Sequence, residues 1–234
     1  MSETKTVGVI GGLGPIATLD FFDRILKRTK AVREQDHLRL IIDNNTKIPD
    51  RNAYKRGEGP SPGPALASAA RALQDAGAEF IVMACNTTHA WEAEIRTAIS
   101  VPFISIIEET TKVVADLNPE GAGVLAVDAC LSSNLYQEAL TKRGVKPVLL
   151  PADSQRTFME LIYRIKGGDT GETVKRSMAT LARKLEALGA EVIIAGCTEI
   201  PLVLTADDID GELVNSTDVL VERTIMFAGA ELKP

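Results

Sequence analysis

The sequence predicts an α/β protein of two pseudo-symmetric halves, each a parallel sheet flanked by helices. Short and almost continuously apolar runs alternate with segments of helical spacing, which is typical of parallel strands that are buried on both faces. The 234 residues suffice for two domains of ordinary size. The third observation is an internal repeat, which assigns one copy of the pattern to each half.

The repeat relates residues 70–85 to residues 182–197 at a constant separation of 112 positions. Eight of the 16 aligned pairs are identical, and the last of these pairs is Cys85 with Cys197. We therefore expect an N-terminal domain of residues 1–115, completed by a C-terminal helix at 216–234, and a second domain of residues 116–215. We expect the active site in the cleft between them, with one thiol from each half.

In the first half, strands and helices are predicted in alternation. The strands are expected at 7–10, 38–42, 80–84 and 102–107, and the helices at 17–33, 65–76 and 88–99. Residues 46–64 hold four prolines and three glycines, which predict a long irregular segment. Long loops inside compact domains are often functional.

The second half repeats this order. Strands are expected at 123–127, 145–150 and 192–195, and helices at 133–143, 156–165, 171–188 and 217–230. In folds of this kind, ligands bind beyond the carboxyl ends of the strands. Cys85 and Cys197 both lie at such ends.

Composition excludes several classes of function. The net charge of −6 and the pI near 5.1 argue against a nucleic-acid or anionic-membrane surface. We expect no membrane association and no targeting leader, because no apolar run approaches 18 residues and Met1–Thr6 is polar. Three cysteines do not form a disulfide framework, so we expect a reducing cytoplasm.

The surroundings of Cys85 favour a reactive thiol over a small buried hydrophobe. It precedes a predicted helix, whose free N–H groups would stabilise a thiolate. Asn86, Thr87 and Thr88 could cap that helix, hold an anion, or do both. His89 lies four residues after the cysteine and could tune it, but no second Cys/His pair accompanies it. No metal site is expected.

The segment Gly12-Leu13-Gly14-Pro15-Ile16-Ala17 fits the G-x-G-x-x-G/A pattern of dinucleotide-binding turns. Two features weigh against that function. Pro15 lacks the N–H that a pyrophosphate would require, and Asp43 lies further along the chain than the usual acidic residue. The alternative is a tight turn that lets the backbone approach a small ligand.

Four motifs resemble the aspartate/glutamate racemase family over nearly the whole chain. They are G-V-I-G-G-L-G-P-I-A-T at the start, I-P-D-R at 48–51, A-C-N-T-T-H at 84–89 and G-A-E-V-I-I-A-G-C-T-E at 189–199. The resemblance implies two flavodoxin-like halves, no cofactor, an amino-acid substrate and a homodimer. It also implies that Cys85 and Cys197 form the catalytic acid/base pair, on opposite faces of the α-carbon.

The resemblance further implies the substrate-binding residues. Arg51, which follows I-P-D, and Lys166, which precedes a glycine, correspond to residues of members with acidic substrates, with Arg164 as the substitute if the alignment shifts. The other residues assigned to substrate binding are Leu13, Asn86, Thr87, Thr198 and Glu199. One departure is notable, because Ala129-Cys130 stands where many relatives have Gly-Thr. A thiol is a poorer hydrogen-bond donor than a hydroxyl, which puts the substrate preference in question.

The function expected from these features is racemisation of aspartate or glutamate without pyridoxal phosphate. The alternatives are related carbanion chemistry, such as hydantoin racemisation, maleate isomerisation or decarboxylation, and a ligand-binding protein without turnover. Decarboxylation would require only one thiol, so the presence of two disfavours it. An enzyme that depends on a nicotinamide cofactor is the least favoured of these functions.

Overall fold

The computed structural model describes residues 4–233. The chain divides into two compact units: unit 1, Met1–Glu109 with Thr217–Pro234, and unit 2, Thr110–Ser216. The first division lies inside a helix, Ile106–Asp116, several residues before the predicted boundary at 115/116. A continuous helix, and not a loop, therefore carries the chain from one unit to the next.

Unit 1 contains a four-stranded parallel sheet in the order β2-β1-β3-β4. Its strands are β1 (Val7–Gly11), β2 (Leu40–Asn44), β3 (Phe80–Met83) and β4 (Phe103–Ile104). Its helices are α1 (Pro15–Arg28), α2 (Arg51–Lys55), α3 (Gly63–Asp75), α4 (Glu92–Ala98) and the first turn of α5 (Ile106–Asp116). β1 and β3 are fully buried, as expected for the centre of a sheet covered on both faces.

Unit 2 contains a second four-stranded parallel sheet, in the order β6-β5-β7-β8. Its strands are β5 (Gly121–Leu125), β6 (Lys146–Val148), β7 (Val192–Ala195) and β8 (Glu212–Asn215). Its helices are α6 (Asp128–Leu131), α7 (Leu135–Thr141), α8 (Ala152–Lys166) and α9 (Glu172–Ala187). The last helix, α10 (Ser216–Phe227), begins at the end of unit 2 and continues in unit 1. The predicted α/β class with two parallel sheets is confirmed.

The sequence repeat folds into the same helix–turn–strand unit twice. α3 and α9 end at positions 112 residues apart, and each is followed by a glycine with φ of +97°, Gly77 or Gly189. The alanine amide that follows each glycine turns back to a helix carbonyl, at 3.0 Å in both cases, and β3 or β7 then begins. Each cysteine follows two residues after the end of its strand.

A close approach of helix to strand recurs in both units. A Cβ placed on Gly8 of β1 would lie 2.8 Å from Ala78 Cβ and 3.2 Å from Leu73 Cβ. A Cβ on Gly123 of β5 would lie 2.9 Å from Leu185 Cβ and 3.1 Å from Ala190 Cβ. Leu73 and Ala78 are the repeat partners of Leu185 and Ala190, so the same packing contact was kept in both copies.

Two elements differ in kind from the prediction. The strand expected at 102–107 is confined to Phe103–Ile104, and α5 begins at Ile106, because the β-branched run also carries buried residues at helical spacing (Ile106, Ile107, Thr110, Val114). β8 was not predicted, since it is a short edge strand with one buried side chain, Val214.

Many of the predicted boundaries are also displaced, and three segments illustrate this. The helix predicted at 17–33 spans Pro15–Arg28 and ends where Thr29 turns to extended backbone. The helix predicted at 88–99 is a 3₁₀ helix, Thr87–Trp91, followed by α4. The segment 46–64, expected to be irregular, contains α2 and the start of α3. None of the helices within residues 4–233 combines the length and the apolar composition that a bilayer crossing requires.

Gly12 provides a test of the turn that follows β1. It has φ of +81°, and a Cβ there would lie 2.4–2.6 Å from backbone atoms of Asn45, a contact that no rotamer change relieves. We expect Gly12→Ala to lower the free energy of unfolding by roughly 2–5 kcal/mol in urea titrations.

Gly57 is the matched control for this substitution. Its φ is +76°, and nothing lies within 4 Å of a Cβ placed there, so Gly57→Ala should cost only about 1 kcal/mol. Equal losses in the two variants would contradict the view that the close approach to Asn45, and not φ alone, fixes the glycine.

Candidate active site

The carboxyl edge of the unit 1 sheet gathers the first set of predicted site residues. β1 lies between β2 and β3, with Gly11 opposite Asn44 and Ile10 opposite Met83. The turn at residues 12–14 and the segment 84–86 therefore leave the sheet side by side. A hydrogen bond of 3.3 Å from the Ala84 amide to the Ile10 carbonyl joins them.

The glycine turn is closed by Thr18 of α1. The Gly12 amide donates to Thr18 Oγ1 at 2.9 Å, and the same hydroxyl donates to the Gly14 carbonyl at 3.0 Å. Pro15 occupies the first turn of α1 and has no N–H to offer. Two of the donors that a pyrophosphate would use are thus committed or missing, which favours the tight-turn interpretation of this motif.

Arg51 is held at this turn. Its Nη2 donates to the Leu13 carbonyl at 2.7 Å, its one hydrogen-bond partner within residues 4–233, and the side chain is partly exposed. The residue stands in the first turn of α2, which the Asp50 side chain caps by accepting from the Ala53 amide at 2.6 Å. Leu13 itself is buried, so its contribution is a backbone carbonyl and an apolar side chain.

Cys85 is buried and free, and its backbone is fixed by the residues that follow. Thr88 Oγ1 donates to the Cys85 carbonyl at 3.1 Å, and His89 Nδ1 lies 2.8 Å from the same oxygen. The Ile106 amide donates to His89 Nε2 at 3.2 Å, so Nε2 is the acceptor and Nδ1 carries the proton.

His89 therefore links the segment after β3 to the start of α5 through two hydrogen bonds. Burial lowers its pKa, with nearby Glu92 opposing this, so the ring stays neutral. The sequence suggested that this histidine could tune the thiol. The contact is instead with the backbone carbonyl of Cys85, and its effect is to orient the residue.

Asn86 and Thr87 are buried next to Cys85, but the capping role considered for Asn86 is absent, since its side chain does not cap the 3₁₀ helix. That helix has five residues and is followed by a break at Trp91 before α4 begins. The regular helix start expected directly after Cys85 is therefore replaced by a 3₁₀ helix.

In unit 2, Cys197 follows β7 and is buried and free. The Gly196 amide donates to the Leu125 carbonyl of β5 at 2.9 Å, which fixes the backbone at this edge of the second sheet. Cys197 Sγ donates to Glu199 Oε2 at 3.0 Å. Burial, together with the negative charge of Glu199, raises the pKa of the Cys197 thiol well above its ordinary value.

Three further polar side chains lie beside this thiol, namely those of Thr198, Glu199 and Lys166. Thr198 Oγ1 donates to the same Glu199 oxygen at 3.2 Å, and Lys166 Nζ lies 3.8 Å from Glu199 Oε1. Lys166 is the last residue of α8. Arg164, the substitute considered for it, forms hydrogen bonds of 3.0 and 2.7 Å with Asp169 instead.

Cys130 lies in α6 and is fully buried. Its neighbour Tyr136 is also fully buried, and its pKa is raised, mainly by burial, so the phenol stays neutral. The Cβ of a residue other than glycine at Gly196 would come within 2.9 Å of the Tyr136 ring. Tyr136 therefore packs directly against the turn that leads into Cys197.

Within residues 4–233, no group of three or more His, Cys, Asp or Glu side chains is placed to hold a metal ion. The two sheet edges thus offer thiols, a carboxylate, hydroxyls and two cations. This donor set suits proton transfer on a small anionic molecule.

The fold is that of a known class of enzymes. The sequence profile of the Asp/Glu/Hydantoin racemase family matches residues 10–224, and the chain belongs to this family.

Individual relatives give further detail. The broad specificity amino-acid racemase RacX of Bacillus subtilis (strain 168) is 26% identical over 229 residues, covering 94% of this chain and 96% of the relative. The Picrophilus torridus aspartate racemase superposes with a TM-score of 0.87 at 28% identity, covering 98% of this chain and 96% of that one.

A glutamate racemase from Francisella tularensis subsp. tularensis SCHU S4, solved with D-glutamate, has a TM-score of 0.68 at 19% identity. The match covers 96% of this chain and 81% of that one. At that level of identity, the likeness concerns the fold.

The neutral state of His89 has a consequence for stability. Because burial lowers its folded-state pKa below 6.5, the unfolded chain binds the proton more readily. The free energy of unfolding should be unaffected above pH 7.5 and should fall as the pH drops below 6.5, by up to about 1.4 kcal/mol per pH unit.

Urea titrations between pH 7.5 and 5.5 measure this slope. His89→Gln should abolish most of it, while His37→Gln, at the only other histidine, should retain it. A His89→Gln protein with the slope of the unsubstituted chain would refute the assignment.

Proposed function

We propose that this protein racemises an acidic amino acid, aspartate or glutamate, by a two-base mechanism that uses Cys85 and Cys197. The observation that carries the proposal is the duplicated arrangement. In each unit, a buried free cysteine follows two residues after a central strand, and a cation stands at the same edge. Family membership supports the reaction class.

The reaction transfers two protons. One cysteine, as thiolate, removes the proton from the α-carbon, and the other, as thiol, donates its proton to the opposite face. The first cysteine ends as a thiol and the second as a thiolate, and the reverse reaction restores them. Activity therefore requires one ionised and one protonated thiol. The racemisation rate should show a bell-shaped dependence on pH, and its two apparent pKa values describe the pair and not either cysteine alone.

The carbanion formed between these steps needs electrostatic stabilisation. Arg51 and Lys166 are the candidates for binding the substrate carboxylates. Arg51 already donates to the Leu13 carbonyl through Nη2, and the fork of a guanidinium leaves further donors for a carboxylate. Asn86, Thr87 and Thr198 line the two edges with polar groups. We include cofactor independence and a homodimer in the proposal on the basis of the family resemblance. A cytoplasmic location is included because three cysteines do not form a disulfide framework.

The first test follows the α-proton. Purified protein is incubated with L-aspartate, L-glutamate and neutral amino acids in D₂O without pyridoxal phosphate, and proton NMR and chiral chromatography monitor the products. We expect loss of the α-proton signal together with appearance of the D-enantiomer. Cys85→Ala and Cys197→Ala should each lower the racemisation rate by roughly 10²–10⁴-fold.

Cys130→Ala is the control for this experiment, because it removes a buried thiol that lies outside the repeat. It should remain within a few-fold of the unsubstituted rate. Racemisation that survives loss of either repeat cysteine would eliminate the two-base mechanism, and silence across the panel would eliminate amino-acid racemisation.

The second test concerns the acidic side chain of the substrate. Removal of one partner from a buried charge pair costs about 2–5 kcal/mol, so Arg51→Gln and Lys166→Gln should lower kcat/KM for aspartate by roughly 10²-fold or more. In Arg51→Gln, turnover of any neutral amino acid should change much less.

Arg164→Gln is the matched control for Lys166→Gln. It lies two residues away on the same helix and is ion-paired with Asp169. An equal loss in Arg164→Gln, or an equal loss for neutral substrates in Arg51→Gln, would show that these cations do not select the acidic side chain.

A further inference from the structure

Glu199 is an ionisable side chain whose surroundings do not suit the substrate-binding role that the resemblance gave it. Its side chain is 10% exposed, and both of its oxygens face protein groups. Oε2 accepts from Cys197 Sγ at 3.0 Å and from Thr198 Oγ1 at 3.2 Å, while Oε1 faces Lys166 Nζ at 3.8 Å. The carboxylate is thus engaged on one side by a thiol and on the other by an ammonium group.

The charges explain which atom holds the proton. An ionised Cys197 would place a second negative charge within hydrogen-bond distance of the carboxylate, in a buried site. Lys166 favours ionisation of the thiol, but its effect is smaller than the opposing effects of burial and of the Glu199 charge. With Glu199 ionised, the hydrogen bond requires the proton to be on sulfur.

The other groups near Cys197 do not supply a competing charge. Tyr136 of α7 stays neutral because of its burial. Cys130 of α6 is a second buried thiol in this neighbourhood. The pair of Glu199 and Lys166 therefore dominates the electrostatic environment.

The repeat provides an internal comparison. At the constant separation of 112 positions, Thr87 of unit 1 corresponds to Glu199 of unit 2. The residue two positions after Cys85 thus lacks a carboxylate, whereas the residue two positions after Cys197 has one. The two thiols share a backbone position but differ in the charge placed beside them.

We propose that Glu199 is a positioning residue that holds the proton on Cys197, so that Cys197 rests as the acid of the pair. The inference rests on the proposed racemase function for the name acid. Its physical content, the retention of a proton by one thiol, does not depend on turnover. Lys166 faces the other oxygen of the carboxylate and completes the arrangement.

The test titrates Cys197 alone. The full-length Cys85→Ala/Cys130→Ala protein has Cys197 as its only thiol, since the chain contains three cysteines. Thiolate absorbance at 240 nm is followed against pH, and the same chain unfolded in urea serves as the reference. The folded midpoint should lie above the unfolded one.

Glu199→Gln in this background keeps the size of the side chain and an acceptor oxygen but removes the charge. The midpoint should fall by roughly one to three pH units. Lys166→Met should move it in the opposite direction, and Thr198→Val, which removes a donor to Glu199 but no charge, should leave most of the elevation in place.

The proposal is overturned if Glu199→Gln, folded by circular dichroism, titrates with the midpoint of its parent. If that variant does not fold, Lys166→Met decides, and a midpoint that is unchanged or lower overturns the proposal. If the titrations shift as expected while the unsubstituted protein exchanges no α-proton, proton retention stands and the racemase proposal fails.

Discussion

The close contact of α3 with β1, and of α9 with β5, is the constraint on which the arrangement of both units depends. A helix can pack this near to a central strand only where the strand presents no side chain, and Gly8 and Gly123 provide that position. Each helix then ends at a glycine of positive φ, and the chain enters β3 or β7 directly. The cysteine position follows from the length of that strand, so a packing requirement at one end of the sheet fixes a thiol at the other.

The same scaffold treats its two thiols differently. Around Cys85, polar contacts act on the backbone, because Thr88 and His89 both bind the carbonyl oxygen. Around Cys197, the contact is with sulfur itself, through Glu199. A backbone brace fixes where a group points, whereas a carboxylate on the sulfur also influences which of its protonation states is stable. The chemical distinction between the two halves is therefore local, while their folds are alike.

The sequence was sufficient to predict the fold class and most central elements, for a physical reason. Strands such as Phe80–Met83 are short, wholly apolar and bounded by turn residues, and α9 has a clear apolar face. α5 was missed because Ile106–Ile107 and Val113–Val114 suit a strand by propensity, although their spacing suits a helix. β8 was missed because an edge strand with one buried residue has little periodicity to detect.

For the site, the sequence indicated which residues matter but not what they touch. The repeat singled out Cys85 and Cys197, and the motifs singled out Arg51 and Lys166. No sequence pattern could show that Glu199 contacts sulfur, that His89 binds a backbone carbonyl, or that Arg164 is engaged by Asp169. No sequence pattern identifies Thr18 as the residue that closes the glycine turn, since threonine in a helix has no distinctive signature.

The correspondence of Thr87 with Glu199 has a consequence for how such a molecule can evolve. In an assembly of two identical chains, any substitution beside one thiol is made beside both, so the two groups cannot acquire separate properties. Once both copies are encoded in a single polypeptide, each position is free to vary alone. A threonine in one copy and a glutamate in the other can then coexist. Fusion of the two copies thus allows the two thiols to differ in their chemical surroundings, which is impossible when two identical chains provide them. The helix–turn–strand unit that presents each thiol remains unchanged.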